Sequence, residues 1–491
     1  MDVGAYDTWF TGATGAGVTI AAVGEGVYSA HQDLIPSFNP ELSFDYSRNV
    51  SDSSPQAGEN LGTPLAGLLS AKANNGVCGI GVASGSSLAV LRTQYDAFTY
   101  LAFTHHLQDI DVYVGLFDSS RTVNNSLLPP APRLSDALLE GVQEGRGGLG
   151  AVYVLPAGDA REGKTAIPAC SHDGNINDVN AIIVSSVGPT GELASYSLSC
   201  SAVVLTAPGE SSMDDSCSLP STLAPPSERS GGDDDPTMCG SAFFGKTRTS
   251  AALVGGAAAL VLAENPELTW RQVRYILFST AQRVHPTHNS WETNKAGYTH
   301  SDLYGFGLVN IDAARGRAST WGECERGFCD HARVAYTSSQ TVTDTTTFSV
   351  QSAATCIRRM YVEVVEVTVS VTSLHPGDLA IDLMAPSGTR AHLSRPVGVK
   401  GQSLVFAISS PPSAKMTCQT GDAQFGQSFV EGVTQLTDIQ VPHEEGCLSF
   451  IERLKGPVML HTSEDCSFAT QVYNAQLAGA TFVLIANYND V

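Results

Sequence analysis

The sequence predicts an α/β protein built on an open parallel sheet, and three observations carry that prediction. Apolar runs of strand length recur between Val18 and about Ala314, and helical patterns lie between them. The runs are near-continuous rather than alternating, which is the pattern of strands covered on both faces. Hydrophobic residues make up 42% of the chain and charged residues only 15%, the balance of a packed protein rather than a disordered one.

In chain order, the expected strands are "VTIAAV" (18–23), "LAVL" (88–91), "DVYVGL" (111–116), "LGAVYVL" (149–155) and "AIIVSSV" (181–187). The expected helices cover 62–74, 133–144, 251–264 and 269–281, the last with Thr269 as N-cap. In such sheets ligands sit at the carboxyl ends of the strands. Residues 209–240 are rich in Ser, Pro, Gly and Asp and read as a long surface loop. From about Ala318 the period changes to two, broken by "HPGD" and "PSGT", which reads as antiparallel β structure with tight turns. From about Cys418 a further segment holds one amphipathic helix and then the apolar strand within "ATFVLIAN". The chain of 491 residues is long enough for several domains, expected at 1–317, 318–417 and 418–491.

The formal net charge of −22 argues against nucleic acid as a partner and suits basic peptides or cations. No apolar run is long enough to span a membrane. The 11 cysteines are scattered, with no zinc-type spacing, which fits disulfides and a secretory or extracellular setting. Asn49-Val-Ser51 and Asn124-Asn-Ser126 are glycosylation sequons that point the same way, weakly. No leader pattern follows Met1, so the expectation is a secreted protein whose leader is not in this chain.

Three stretches stand in an informative order: "GVTIAAVGEGVYSAHQDL" (17–34), "GENLGTPLAGLLSAKANNGVCGIGVA" (58–83) and "KTRTSAALVGGAAALVLAENPELTW" (246–270). Together they resemble the Asp, His and Ser blocks of subtilisin-like serine proteases. "NNGVCGIGVA", "EGRGGLGAVYV" and "YGFGLVNIDAA" narrow the resemblance to the kexin/furin proprotein convertases. It implies a subtilisin-like parallel sheet flanked by helices, followed by a truncated β jelly-roll-like P domain and a partial α/β protease-associated (PA) domain.

Carried over residue by residue, the catalytic resemblance breaks. The triad Asp position is Gly24 within Val23-Gly24-Glu25-Gly26, and the His position is Leu61 within Leu61-Gly62-Thr63. Gly-Thr-Ser is read as Arg248-Thr249-Ser250, which retains Ser250 at the nucleophile position and puts Arg248 in place of the glycine. The oxyanion asparagine position is Asp159, an acceptor where a donor is needed, although one convertase lineage carries Asp there too. Glu25 is one residue from the Asp position and is expected to face the other way by strand alternation. His31 is expected to be a surface-turn residue; His105 and His106 lie elsewhere in the sequence.

Other positions match better. Asp118 and Asp173 fall where convertases hold a basic P1 side chain, although the loop around Asp118 is altered. Asp33 and Asn75, with carbonyls of Lys72, Val77 and Gly79, match a calcium loop. A second loop keeps Asp45 and Asp52 but has Val50 for its middle acid. The resemblance pairs Cys78 with Cys239, Cys170 with Cys200 and Cys329 with Cys356; Cys447 with Cys466 would suit the PA-like segment, and Cys217, Cys324 and Cys418 have no assigned partner. The expectation is a convertase homologue that folds but does not cut, with basic-peptide, proprotein-segment or calcium binding retained. The alternatives are an active calcium-dependent endopeptidase with a rearranged triad, or a mis-joined reading of an active gene.

Overall fold

A computed structural model of the chain describes residues 2–94, 99–117, 132–160, 170, 176, 178–209, 220–222, 239–241, 245–294 and 297–321, with segments 365–371, 380–384, 390–394, 404–410, 456–461 and 480–486. Seven parallel strands form the central sheet: β1 (Thr19–Gly24), β2 (Phe44–Asp45), β3 (Ser87–Arg92), β4 (Val112–Leu116), β5 (Val152–Pro156), β6 (Ala181–Val187) and β7 (Val203–Pro208). Their order is β2-β3-β1-β4-β5-β6-β7. The five expected strands are all present. β2 and β7 were not expected.

Each strand divides its side chains between two cores, as the period of two requires. In β1, Ile20 and Ala22 join one apolar cluster and Ala21 and Val23 the other. The first cluster is covered by α2 (Gly62–Ser70), α5 (Thr247–Glu264), α6 (Trp270–Ser279) and α7 (Ile311–Ser319). The second is covered by α3 (Thr99–Ala102) and α4 (Pro132–Glu144). A short N-terminal helix, α1 (Ala5–Phe10), packs near α7.

Helix α5 is buried along nearly its whole length, so its small residues set how closely it lies on the sheet. A Cβ on Gly255 would come within 2.4 Å of a Val114 methyl. Thr269 caps α6 as expected, its side chain accepting from the Gln272 amide in a full capping box. Helix α7 runs through residue 317 to Ser319, so the expected boundary at 317 cuts a helix that packs against α5. Within 209–240, β8 (Pro220–Thr222) pairs antiparallel with β9 (Cys239–Ser241), so that stretch is not loop throughout.

β10 (Glu292–Thr293) and β11 (Thr299–His300) form a small antiparallel pair. Farther on, β12 (Val365–Val371) pairs antiparallel with β15 (Leu404–Ser410), and β13 (Ile381–Met384) with β14 (Arg390–Ser394), the β structure read from the sequence. The expected late apolar strand is β17 (Ala480–Ala486), which pairs in parallel with β16 (Gly456–His461). The amphipathic helix expected before it lies outside the described residues.

Candidate active site at the strand ends

Gly24 closes β1, in register with Arg92 of β3 and Leu116 of β4. A Cβ there would lie 2.7 Å from the Leu116 carbonyl oxygen and 2.9 Å from its carbon. Neighbouring backbone therefore crowds any side chain at Gly24. Leu61 is the N-cap residue of α2, without a capping side chain, and packs against the first apolar cluster.

The next residue of α2 shows how tight this corner is. A Cβ on Gly62 would stand 2.1 Å from the Gly26 carbonyl oxygen. Thr63 Oγ1 accepts from the Tyr28 amide at 2.9 Å, tying the helix to the chain that leaves β1.

Glu25 does not face away as strand alternation suggested, because the strand ends at Gly24. Its Oε2 accepts from the amides of Asn60 at 3.1 Å and Leu61 at 2.8 Å, a carboxylate at a helix start. Glu59 makes the reciprocal link: its Oε2 accepts from the amides of Gly26 at 3.0 Å and Gln56 at 2.9 Å. Buried Arg92 grips Glu59 Oε1 at 2.5 Å and Asp45 Oδ2 at 2.9 Å. These acids hold the first two blocks together without serving a base. Sequence reasoning missed this use, although "GEG" and "GEN" both place a glutamate beside glycine-rich turns.

Ser250 is the residue expected at the nucleophile position. It is fully buried in the first turn of α5. Its hydroxyl lies 3.0 Å from the Ala207 carbonyl oxygen, 3.1 Å from that of Pro208 and 2.9 Å from Ser186 Oγ. These neighbours accept its proton in a hydrogen bond but are not bases that activate it. Arg248 is about 200° away around the helix. It is 8% exposed, and its Nε donates to the Gly245 carbonyl at 3.1 Å. Just before the helix, Lys246 adopts φ 51° and ψ −119°.

Asp159 sits at the same helix start. Its Oδ1 accepts from Thr247 N at 3.1 Å and Thr247 Oγ1 at 2.8 Å, so its carboxylate serves as a helix-end acceptor. His31 is fully buried, not in a surface turn, and its Nδ1 accepts from the Asp33 amide at 3.0 Å. His105 meets the Tyr46 hydroxyl at 2.8 Å, and His106 meets Asp109 at 3.2 Å.

The structure brings Asp33 and Asn75 together. Asp33 is fully buried; its Oδ1 accepts from Asn75 Nδ2 at 2.8 Å and its Oδ2 from Thr222 Oγ1 of β8 at 2.7 Å. The Lys72 amide donates to the Asp33 carbonyl at 2.9 Å, and the Val77 amide to Asn75 Oδ1 at 3.0 Å. The Cys78–Cys239 disulfide ties this loop to β9. The donor types are hard oxygens of the kind calcium takes, with one formal charge; Asn75 Oδ1 keeps a second lone pair beside its bond from Val77. Among the described residues no group of three or more His, Cys, Asp or Glu could hold a metal.

The Cys170–Cys200 disulfide is also present. Asp118, Asp173, Cys329, Cys356, Cys447, Cys466, Cys217, Cys324 and Cys418 lie outside the described residues. Among those described, no helix is long and apolar enough to cross a membrane.

The subtilase family profile matches residues 15–307, and the proprotein convertase P-domain profile matches residues 362–408. The chain is similar to proprotein convertase subtilisin/kexin type 5 of Homo sapiens, 31% identical over 411 residues that cover 80% of this chain and 21% of that protein. It is also similar to neuroendocrine convertase 2 of Bos taurus, 30% identical over 417 residues that cover 80% of this chain and 61% of that one. It thus spans about a fifth of the first relative and about three fifths of the second. The crystal structure of the Aeromonas sobria serine protease with its chaperone matches with a TM-score of 0.65 at 21% identity, over 83% of this chain and 82% of that one, a likeness of fold. With these profile matches and the parallel sheet that carries the three blocks, the chain belongs to the subtilase family, in its kexin/furin-like proprotein convertase branch.

Proposed function

We propose that this chain is a catalytically inactive convertase homologue that keeps the protease fold. The observation that carries this reading is the closure at Gly24, where neighbouring backbone stands 2.7 Å from any added Cβ. The third block strengthens it. The glycine of Gly-Thr-Ser suits a backbone with positive φ, and Lys246 has that conformation. Read as Lys246-Thr247-Arg248, the block keeps its threonine and puts Arg248 at the nucleophile position, with Ser250 two residues beyond. All three triad positions then lack their group. Loss of the triad Ser or His in subtilisin costs on the order of 10⁶ in kcat, about 8 kcal/mol of transition-state stabilisation.

The test is a fluorogenic dibasic peptide together with a serine-directed fluorophosphonate probe, applied to the chain expressed behind a secretory leader. We expect neither turnover nor labelling. Turnover abolished by Ser250→Ala would refute the reading and restore the rearranged-triad alternative.

Binding is what the fold could retain. An Arg-containing peptide bound through Asp118 and Asp173 would lose affinity in the Asp118→Asn/Asp173→Asn variant, read by calorimetry. Calcium would be held by Asp33 and Asn75 with the carbonyls of Lys72, Val77 and Gly79. When bound it would supply a structural crosslink between that loop and the segment carrying Asp33. The two disulfides support a secretory or extracellular setting. The parallel pair β16–β17 suits the PA-like reading of 418–491.

A further inference from the structure

The family resemblance gives the loop from Asp45 to Asp52 a second calcium site, with acids at Asp45, position 50 and Asp52. The residues present do not fit that ion. Asp45 is fully buried and its carboxylate is saturated by donors. Oδ1 accepts from the amides of Ser47 at 2.9 Å and Arg48 at 3.0 Å, and from Arg92 Nη1 at 3.1 Å. Oδ2 accepts from Arg48 Nε at 2.6 Å and Arg92 Nη1 at 2.9 Å. No lone pair remains for a metal that wants six to eight oxygens.

The other ligand positions are committed as well. Val50 stands 39% exposed, and its backbone closes a two-way link with Asp45, at 2.8 Å and 3.2 Å. Asn49, at φ 56°, turns the chain back over Arg48. Arg48 Nη2 donates to the Asp52 carbonyl at 2.5 Å and lies 3.5 Å from Asp52 Oδ2.

We propose that Arg48 is the built-in cation of this loop, its guanidinium standing where the resemblance puts calcium. Two carboxylates with one guanidinium leave the same single negative charge as three carboxylates around a divalent ion. Loss of the middle acid and gain of the arginine therefore balance. The planar fork of arginine reaches Asp45 Oδ2 through Nε and the Asp52 carbonyl through Nη2, with the Asp52 carboxylate alongside, a span that lysine would fill poorly. Burial alone would raise the Asp45 pKa; hydrogen bonds from Arg48 and the charge of Arg92 outweigh it and hold the carboxyl below its ordinary value. This corner, which carries β2 beside β3, is held without a metal.

The test counts calcium ions bound per full-length chain, by equilibrium dialysis or calorimetry, with circular dichroism as the check on folding. Any ion at the Asp33 loop is common to all samples, so only differences are read. Val50→Asp alone should bind no more calcium than the wild type, because Arg48 still fills the loop. Arg48→Ala/Val50→Asp should bind one more ion per chain and recover, on adding calcium, a melting temperature lost without it. Equal counts in the two Val50→Asp samples would overturn the proposal. Asp52→Asn keeps the test independent of that variant's folding, since its side chain is 61% exposed. A wild-type ion lost in Asp52→Asn would overturn the proposal, and an unchanged count supports it.

Discussion

Gly24→Ala adds one methyl group at the most constrained point of the site. The added carbon would meet the Leu116 carbonyl oxygen at 2.7 Å, its carbon at 2.9 Å and the Leu116 Cβ at 3.3 Å. Two of these are backbone atoms of β4, a buried central strand, and cannot swing aside as a side-chain tip can. Forcing a carbon into packed surroundings costs about 1–3 kcal/mol. Removing glycine's freedom in the unfolded chain returns about 0.5–1 kcal/mol. The net is a loss of up to about 2.5 kcal/mol, and at about 2–4 °C per kcal/mol the melting temperature should fall by up to about 10 °C. Gly316→Ala is the control, being the same chemical change in α7, where an added Cβ meets nothing within 4 Å. It should stabilise by up to about 1 kcal/mol through helix propensity. Thermal melts by circular dichroism read both. A Gly24→Ala variant that melts at or above the wild type would refute the argument that backbone closes this position. The same contact bears on rescue: Gly24→Asp, Leu61→His and Arg248→Ser together must displace β4 before any triad forms, so no turnover is expected from them.

Burial, and then the neighbouring His106, hold the His105 pKa down to about 4 from its ordinary 6.5, against the opposing hydrogen bond to Leu42. The unfolded chain takes up this proton below about pH 6.5 and the folded chain only near pH 4, so stability is lost as pH falls through that window. The loss should reach about 2 kcal/mol, with the 1.4 kcal/mol per pH unit discounted for partial exposure. Urea midpoints for the wild type and His105→Gln should diverge from about pH 7 to about pH 5, and parallel curves would refute the assignment. Cys78 and Cys239 are 161 residues apart and Cys170 and Cys200 only 30. In the chain-entropy description their removal costs about 5 and about 3.6 kcal/mol. Denaturant unfolding of the two double Cys→Ala variants should show the larger loss for the first pair, and the reverse order would exclude loop closure as the dominant effect.

The sheet was legible because strands buried on both faces must be apolar throughout, which is why "VTIAAV" and "AIIVSSV" stand out. β2 was not, since two residues, Phe44 and Asp45, are too few to show any period. Thr269 was legible because capping is local: its partner Gln272 is three residues away. The proposed triad substitutions at Gly24 and Leu61 rest on the blocks around them. The register of the third block could not, because "KTRTSAALV" offers a threonine at both 247 and 249. Only the backbone at Lys246 and the burial of Ser250 separate the two. Glu25 misled for a related reason: alternation holds within a strand, and the strand ends one residue earlier. Arg48 and Arg92 were invisible as partners of Asp45 because their pairing is a product of the fold.

Gly62 and Thr63 carry the Gly-Thr of the histidine block, yet both work here with no histidine beside them. Gly62 lets α2 lie against the Gly26 carbonyl, and Thr63 ties the helix to Tyr28. The block is thus written in two vocabularies at once, one for docking a helix and one for moving a proton. With Leu61 before it, the first is the one this structure displays. A search keyed to the flanking letters finds this joint wherever a helix must dock this way, so such a signature is a statement about architecture until the imidazole itself is found.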